Sequence, residues 1–269
     1  MRGASAESLA TLTEELGRVI DSGADGARIG DDLFAVSEVL RREPRLRRVA
    51  TDLSTAPEAK SGLLRQIFGD KLDGASLDLV AKAAGLRWAG PRDLGYSLEE
   101  LGVIAVVKAA DRAGQADALE DQLFGFGRLV SENPGLRDAL SDPARSIHDK
   151  QALVRGLLEG RATPAAIRLA EQSLTGTHRT VAVAIAEYQK VAANHRNRLV
   201  ATVRAARDLG DADRQRLAGA LARQYGRPVH LNVVVDPEVV GGLSVEIGDD
   251  VIDGTVASRL DDARRRLAG

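Results

Sequence analysis

The 269 residues suffice for one or two domains with a sizeable core, and a composition of 44% hydrophobic and 28% charged residues is that of a globular chain. Thirty-seven basic against 39 acidic residues, a net charge of −2, argue against a dedicated nucleic-acid binder. The absence of cysteine excludes disulfides, thiolate catalysis and cysteine-based zinc sites, and aromatics at 3% leave a core of Ala, Leu and Val that points to helix packing.

Apolar spacing is helical from the N-terminus to about Asn197. Leu9, Leu12, Leu16, Val19 and Ile20 form one stripe, with Ser5 as its N-cap. Leu33, Val36, Val39 and Leu40 form a second, and Leu63, Leu64, Ile67 and Phe68 follow Pro57 as a third. Leu119, Leu123, Phe126 and Val130 make a further stripe. Thr163-Pro164 is a helix start, a cap residue followed by proline at the first helical position. Ile185, Tyr188 and Val191 mark the last helix of this region. The most apolar runs, Val103–Val107 and Val181–Ile185, fall well short of the ~18 residues of a membrane span. The N-terminus lacks the layout of a signal peptide, so a cytoplasmic or cytoplasmically docked protein is expected.

The period then changes to two. Leu199, Ala201, Val203 and Ala205 alternate as a strand. Asp211 caps a helix with Leu217 and Leu221 that Gly226 ends. Leu231, Val233 and Val235 alternate, as do Leu243, Val245 and Ile247, and a final helix carries Val256, Leu260, Ala263 and Leu267. The expected fold is mainly α, two helical bundles followed by a small α+β domain. The bundles are read from an internal repeat: EPRLRRVATD at Glu43–Asp52 lines up with NPGLRDALSD at Asn133–Asp142, and the stripes on either side keep the same offset. This places one bundle at 1–96, a second at 97–197 and the α+β domain at 198–269.

No constellation of catalytic residues emerges. Gly241-Gly242 has no third glycine and sits between two strands, unlike a dinucleotide-binding loop, and no phosphate loop of the G-x-x-x-x-G-K-[ST] type occurs. Asp249 and Asp250 read as turn residues and Asp253 as a turn or cap residue rather than as metal ligands. His148, His178, His195 and His230 have no metal-binding spacing, and no G-x-S-x-G is present. No cofactor is expected. Trp88 reads as a packing residue or as a buried partner anchor, and the basic runs Arg41, Arg42, Arg45, Arg47, Arg48 and Arg264 to Arg266 read as solvated faces or as a rim for an acidic partner.

The segment VHLNVVVDPEVVGGLSVEIGDDVIDGTVASRLDDARRRL, Val229–Leu267, resembles the C-terminal signature of the delta subunit of bacterial F-type ATP synthases, the oligomycin-sensitivity-conferring protein family. Its marks are VDPEVVGG, VEIGDDVIDG and the SRLDDARRRL tail, which single out Asp236, Pro237, Gly241, Gly242, Gly248, Asp253 and Gly254 as structural signature residues. Upstream, RLVATVRAARDLGDADRQRLAGALARQYGRPV and SENPGLRDALSDP are similar to family segments, so that the likeness spans about Gly102–Gly269. The usual family form has one helical bundle, and here the repeat supplies another. The tyrosine and phenylalanine often found in the family's first bundle helix are absent from Gly102–Gly114.

The resemblance implies a non-catalytic stator protein. A helical bundle receives an N-terminal helix of an alpha subunit, and the C-terminal domain meets the b subunits of the peripheral stalk. It also implies a peripheral location on the cytoplasmic face of the cell membrane, through the complex, with no binding of nucleic acid. The expected alpha contacts are Ile104, Ala105 and Lys108 on the bundle's first helix and Ile167, Ala170 and Leu174 on its fifth. Arg259, Arg264 and Arg265 are the expected contacts for b. The added bundle is expected either to hold a second stator helix, from alpha or b, or to act as a brace. A nucleic-acid-binding helical regulator resting on Arg41 to Arg48 is the alternative function.

Overall fold

The computed structural model describes residues 3–239, 241–248 and 250–254. Its chain divides into two compact units, Met1–Ala192 and Ala193–Gly269.

Eleven helices begin in the first unit. They are α1 (Ala4–Asp21), α2 (Gly26–Arg42), α3 (Pro44–Thr51), α4 (Pro57–Phe68), α5 (Gly74–Gly85), α6 (Asp93–Arg112), α7 (Ala116–Glu132), α8 (Pro134–Ser141), α9 (Ile147–Leu158), α10 (Pro164–Gln172) and α11 (Val181–His195). Proline opens α3, α4, α8 and α10, where the missing N–H costs no intrahelical bond. Short polar side chains cap others: Asp25 accepts from Ala27 N and Arg28 N at 2.9 and 3.2 Å, and Thr163 Oγ1 accepts from Ala166 N at 3.3 Å. Ser5 is not the cap expected of it, because Gly3 holds that position. Its buried hydroxyl instead donates to Asp93 Oδ2 at 2.6 Å and accepts from Ala89 N at 2.8 Å, tying α1 to the start of α6.

The repeat is visible as geometry. Both ends of α2 and α7, of α3 and α8, and of α4 and α9 lie 90 residues apart, and α5 and α10 start 90 apart. At nearly the same offset α6 corresponds to α1, and α11 corresponds to α6. The helix α6 therefore occupies two places in the repeat, last helix of the first copy and first helix of the second. The expected boundary at 96/97 falls inside it, and the two copies form one compact unit.

Burial explains how one helix serves twice. Leu94, Leu98, Leu101, Ile104 and Ala105 of α6 join a core with Leu12, Leu16, Ile29, Leu33, Leu64, Leu79 and Trp88. Val103, Val106, Val107 and Ala110 join a second core with Leu119, Leu123, Phe126, Val154, Leu169 and Tyr188. A helix apolar all round is a buried helix, which accounts for the long apolar run in the sequence. Trp88 packs as expected, with Nε1 donating to Ala83 O at 2.9 Å.

Close approach of α2 and α6 depends on three glycines. A Cβ on Gly26 would lie 2.9 Å from Ala105 O, and one on Gly30 would lie 2.7 Å from Val106 Cγ2. On the facing helix, a Cβ on Gly102 would lie 2.5 Å from Phe34 Cε1. Phe34, a residue of α2 in the first copy, inserts over Gly102 into the second core. A buried polar lock adds to this: Glu99 of α6, 2% exposed, accepts from Thr177 N at 2.6 Å and from the Tyr188 hydroxyl. Burial, reinforced by the Glu99 carboxylate, pushes ionisation of that phenol far up, so it stays a donor.

The second unit contains β1 (Leu199–Ala205), α12 (Asp211–Tyr225), β2 (Val229–Val235), β3 (Leu243–Ile247) and β4 (Asp250–Asp253). The sheet order is β2-β1-β3-β4, with β1 parallel to β2 and antiparallel to β3. Ala201, Val203, Val245 and Ile247 bury the sheet face with Leu221 of α12. The strands predicted as β1, β2 and β3 are present, but in β2 the alternation is incomplete: Leu231 and Val233 pack against this core while Val235 is exposed and Asn232 is buried. Asp211 is the first helical residue rather than the cap, which is Gly210, and Gly226 ends α12 in the left-handed conformation at φ 68°.

The stretch DVID, whose aspartates suggest a turn leading to a helix, forms the strand β4. Asp250 and Asp253 instead pair with Ile247 and Ser244. The expected terminal helix, with Val256, Leu260, Arg259, Arg264 and Arg265, lies outside the described residues, as does Asp249.

The signature motif is a connection between strands. Asp236 N donates to Ala205 O at 2.9 Å, and Asp236 Oδ1 accepts from Glu238 N at 3.0 Å, closing a turn that contains Pro237. Gly241 and Gly242 have φ of 69° and 75°, a backbone that side chains rarely adopt, which explains the glycine pair without any phosphate. Gly248 turns β3 into β4 at φ 59°, and Gly254 N donates to Leu243 O at 2.9 Å.

Candidate functional site

Among the described residues no group of three or more His, Asp or Glu is placed to hold a metal, and no helix is long and apolar enough to cross a membrane. The feature with the makings of a binding site is a groove of about 550 Å³ between α6 and α10. Val106, Ala109, Ala110 and Ala113 line it from α6, and Pro164, Ala165, Ile167, Arg168 and Glu171 line it from α10. Ala27 and Asp31 of α2 complete it, with Gln115 and Arg155 at its ends. Two turns of each main wall are presented, the length over which one helix lies against another.

The small residues give the groove its depth. Alanines at 109, 110 and 113 leave an open strip that larger side chains would fill, and Ile167 is half-buried on the opposite wall. Ion pairs hold the rim. Arg155 reaches Glu171 at 2.8 Å, and Arg168 pairs with Asp31. Arg168 also stacks over the Phe34 ring, 4.7 Å from its centroid, which fixes the guanidinium against α2. The rim charges are paired with one another, so the groove offers a partner apolar surface rather than an unmet charge.

The groove lies between the two helices on which the alpha contacts are expected, but on faces that differ from most of the residues singled out. Ile167 lines the groove. Ala170 is fully buried beneath it in the second core, and Leu174 packs against that core. On α6 the expected trio points elsewhere: Ile104 and Ala105 belong to the first core, and Lys108 reaches Asp21 of α1 at 3.3 Å. The duplication turns that face of α6 inward, against α1 and α2. The groove face lies further round the helix, at Val106, Ala109, Ala110 and Ala113. A sequence signal for it exists in the small residues that follow the valine run, AADRA at Ala109–Ala113.

The corresponding helices of the first copy, α1 and α5, are bridged differently. Lys82 reaches Glu15 across them at 2.5 Å, and this hydrogen bond from the ammonium holds the Glu15 carboxyl below the usual range. At the matching positions of the second copy stand Gln172 and Ala105. The basic run at Arg41–Arg48 is also partly committed: Arg41 and Arg42 approach Glu38 at 3.8 and 2.5 Å, and Arg47 Nη1 donates to Leu40 O and Arg41 O at the end of α2.

Residues 104–267 match the family model described as ATP synthase delta (OSCP) subunit. This chain belongs to that family. The delta (OSCP) subunit is a structural component of the peripheral stalk of ATP synthase and is not itself catalytic. The delta-family match begins within α6, so it covers the second helical copy and the α+β unit. Relatives extend the likeness to the whole chain. An ATP synthase subunit delta of Nocardioides sp. is 53% identical over 269 residues, covering 100% of this chain and 98% of the relative. One from Streptomyces avermitilis is 46% identical over 268 residues, covering 99% and 98%. The duplicated delta form is therefore shared with these actinobacterial relatives along its full length. A chain in the cryo-EM structure of the Toxoplasma gondii mitochondrial ATP synthase hexamer is 20% identical with a TM-score of 0.33, covering 62% of this chain and 95% of that chain. A likeness that low carries no argument.

Proposed function

We propose that the α6–α10 groove receives the N-terminal helix of an alpha subunit and that the α+β unit meets the b subunits. The chain then ties the catalytic head to the stalk on the cytoplasmic face of the cell membrane. In that place it resists rotor torque during proton-driven ATP synthesis. The observation that carries this reading is the groove itself, apolar along its floor, two turns long and walled by the two helices that the resemblance nominates. An amphipathic helix fits such a groove by anchors at i, i+3, i+4 and i+7. Arg259, Arg264 and Arg265 are the residues proposed to contact b. The commitments of Arg41, Arg42 and Arg47 within the chain give no support to a nucleic-acid reading.

The test is binding of a peptide of the alpha subunit's N-terminal helix to the full chain by calorimetry. Ile167→Asp places a charge on the apolar wall, at a half-buried position where the bundle itself does not require isoleucine for its core. Loss of binding by roughly tenfold or more is expected, since truncating or polarising a central anchor typically costs about 2 kcal/mol or more. The thermal melt should hardly change. Wild-type affinity in this variant would overturn the groove assignment.

A further inference from the structure

The family match starts in α6, yet the groove has a third wall that lies outside it. Ala27 and Asp31 stand one turn apart on the exposed face of α2, in the first copy, and both line the groove. We infer that the N-terminal copy builds part of the alpha-helix site, and that Ala27 and Asp31 determine which helix the site accepts. This inference rests on the alpha-subunit reading given above.

Three observations support it. First, α2 is held against α6 with no slack: Gly26, Gly30 and Gly102 let the two helices touch, and Phe34 is sunk in the second core. A wall fixed in this way is part of the site before any partner arrives. Second, the wall is bonded to the opposite side. Arg168 of α10 pairs with Asp31 and stacks on Phe34, so a residue of the second copy holds one rim of the groove to a residue of the first. Third, the wall narrows the groove with a small side chain, Ala27, where a larger one would obstruct it.

The expected occupant follows from this lining. It is an amphipathic helix whose apolar stripe is flanked, on the α2 side, by small or uncharged polar residues. Asp31 already has its cation in Arg168 and gives little to a second, and a carboxylate on the partner would sit against Asp31.

The experiment compares full-length variants for binding of the peptide of the alpha subunit's N-terminal helix. Ala27→Trp fills the groove from the α2 side and leaves every residue of α6 and α10 unchanged. Ala35→Trp puts the same side chain on α2, at an exposed position outside the groove, and controls for the substitution itself. The expected result is roughly tenfold or greater weakening for Ala27→Trp, wild-type affinity for Ala35→Trp, and unchanged melting for both. Wild-type affinity for Ala27→Trp together with lost binding by Ile167→Asp would overturn the third wall and leave the groove reading standing. Wild-type affinity in both Ala27→Trp and Ile167→Asp would overturn the two readings together. A charge test completes the series. Asp31→Asn should improve binding of a peptide variant that carries a carboxylate on the α2-facing edge, relative to the wild-type chain. The same discrimination against that carboxylate in both chains would remove Asp31 from the specificity role.

Discussion

Residues 1–96 expressed alone are expected to show no cooperative unfolding, whereas residues 1–192 are expected to melt in a sharp transition. The cut at 96/97 looks like a domain boundary in the repeat, but it removes nearly all of α6 from the first core. Leu98, Leu101, Ile104 and Ala105 are at most 7% exposed there. Full burial of the three larger side chains is worth roughly 5–9 kcal/mol at about 1.5–3 kcal/mol each. A domain of this size has a total stability of only about 5–15 kcal/mol. The fragment also loses the partner of Gly26 and Gly30 on α2, and it retains Phe34 with no second core to enter. Far-ultraviolet circular dichroism melts and binding of a hydrophobic dye distinguish the cases. A sharp melt of residues 1–96 at a temperature close to that of residues 1–192 would show that the first copy is independent of α6.

Gly102→Leu is expected to be the most damaging single change at the junction. A Cβ there would meet the Phe34 ring at 2.5, 2.7 and 3.1 Å, and that ring is itself 2% exposed and overlain by Arg168. Neither partner has room to move, so the side chain must force α2 and α6 apart. Overpacking of this kind typically costs about 1–3 kcal/mol, and the rigid surroundings place this case at the upper end. For a unit of this size that corresponds to a fall in melting temperature of roughly 6 °C or more. Gly125→Ala in α7 is the control. It meets nothing within 4 Å and should raise stability by about 0.5–1 kcal/mol through helix propensity alone. Opposite signs at the two glycines are expected in thermal melts. Stabilisation at both would mean that Gly102 does not hold the helices at contact distance. Phe34→Leu combined with Gly102→Leu should melt above Gly102→Leu alone, because the ring is the obstructing group.

Periodicity made α1, α2, α4, α7, α11 and α12, three of the four described strands and the repeat legible, because each is a pattern along the chain. The Thr163-Pro164 start and the Gly226 stop were legible for the same reason, as local backbone chemistry. The sharing of α6 was not. A repeat tells how many copies exist, and an apolar run from Val103 to Val107 tells that a helix is buried. Neither tells that one helix closes one bundle and opens the next. Only the resemblance nominates Ile104, Ala105 and Lys108 as alpha contacts, and the structure turns them toward α1 and α2. Ile167 lines the groove because α10 belongs to a single copy and keeps that face open. Ala27 and Asp31 were out of reach of any local pattern, since their place in the groove depends on contacts across two copies. The strand β4 was hidden by its own composition, two aspartates around Val251-Ile252 on an exposed edge.

Cross-linking within the assembled ATP synthase tests the stator reading most directly. The chain has no cysteine, so Ile167→Cys carries a single thiol, placed on the groove wall. A short thiol-reactive cross-linker on this variant is expected to give a product joining it to the N-terminal segment of an alpha subunit, identified by mass spectrometry. Gly125→Cys, on the exposed face of α7, should give no such product. An Ile167→Cys product joined to a b subunit instead, or equal yields of the alpha product at both positions, would contradict the assignment of the groove to the alpha helix.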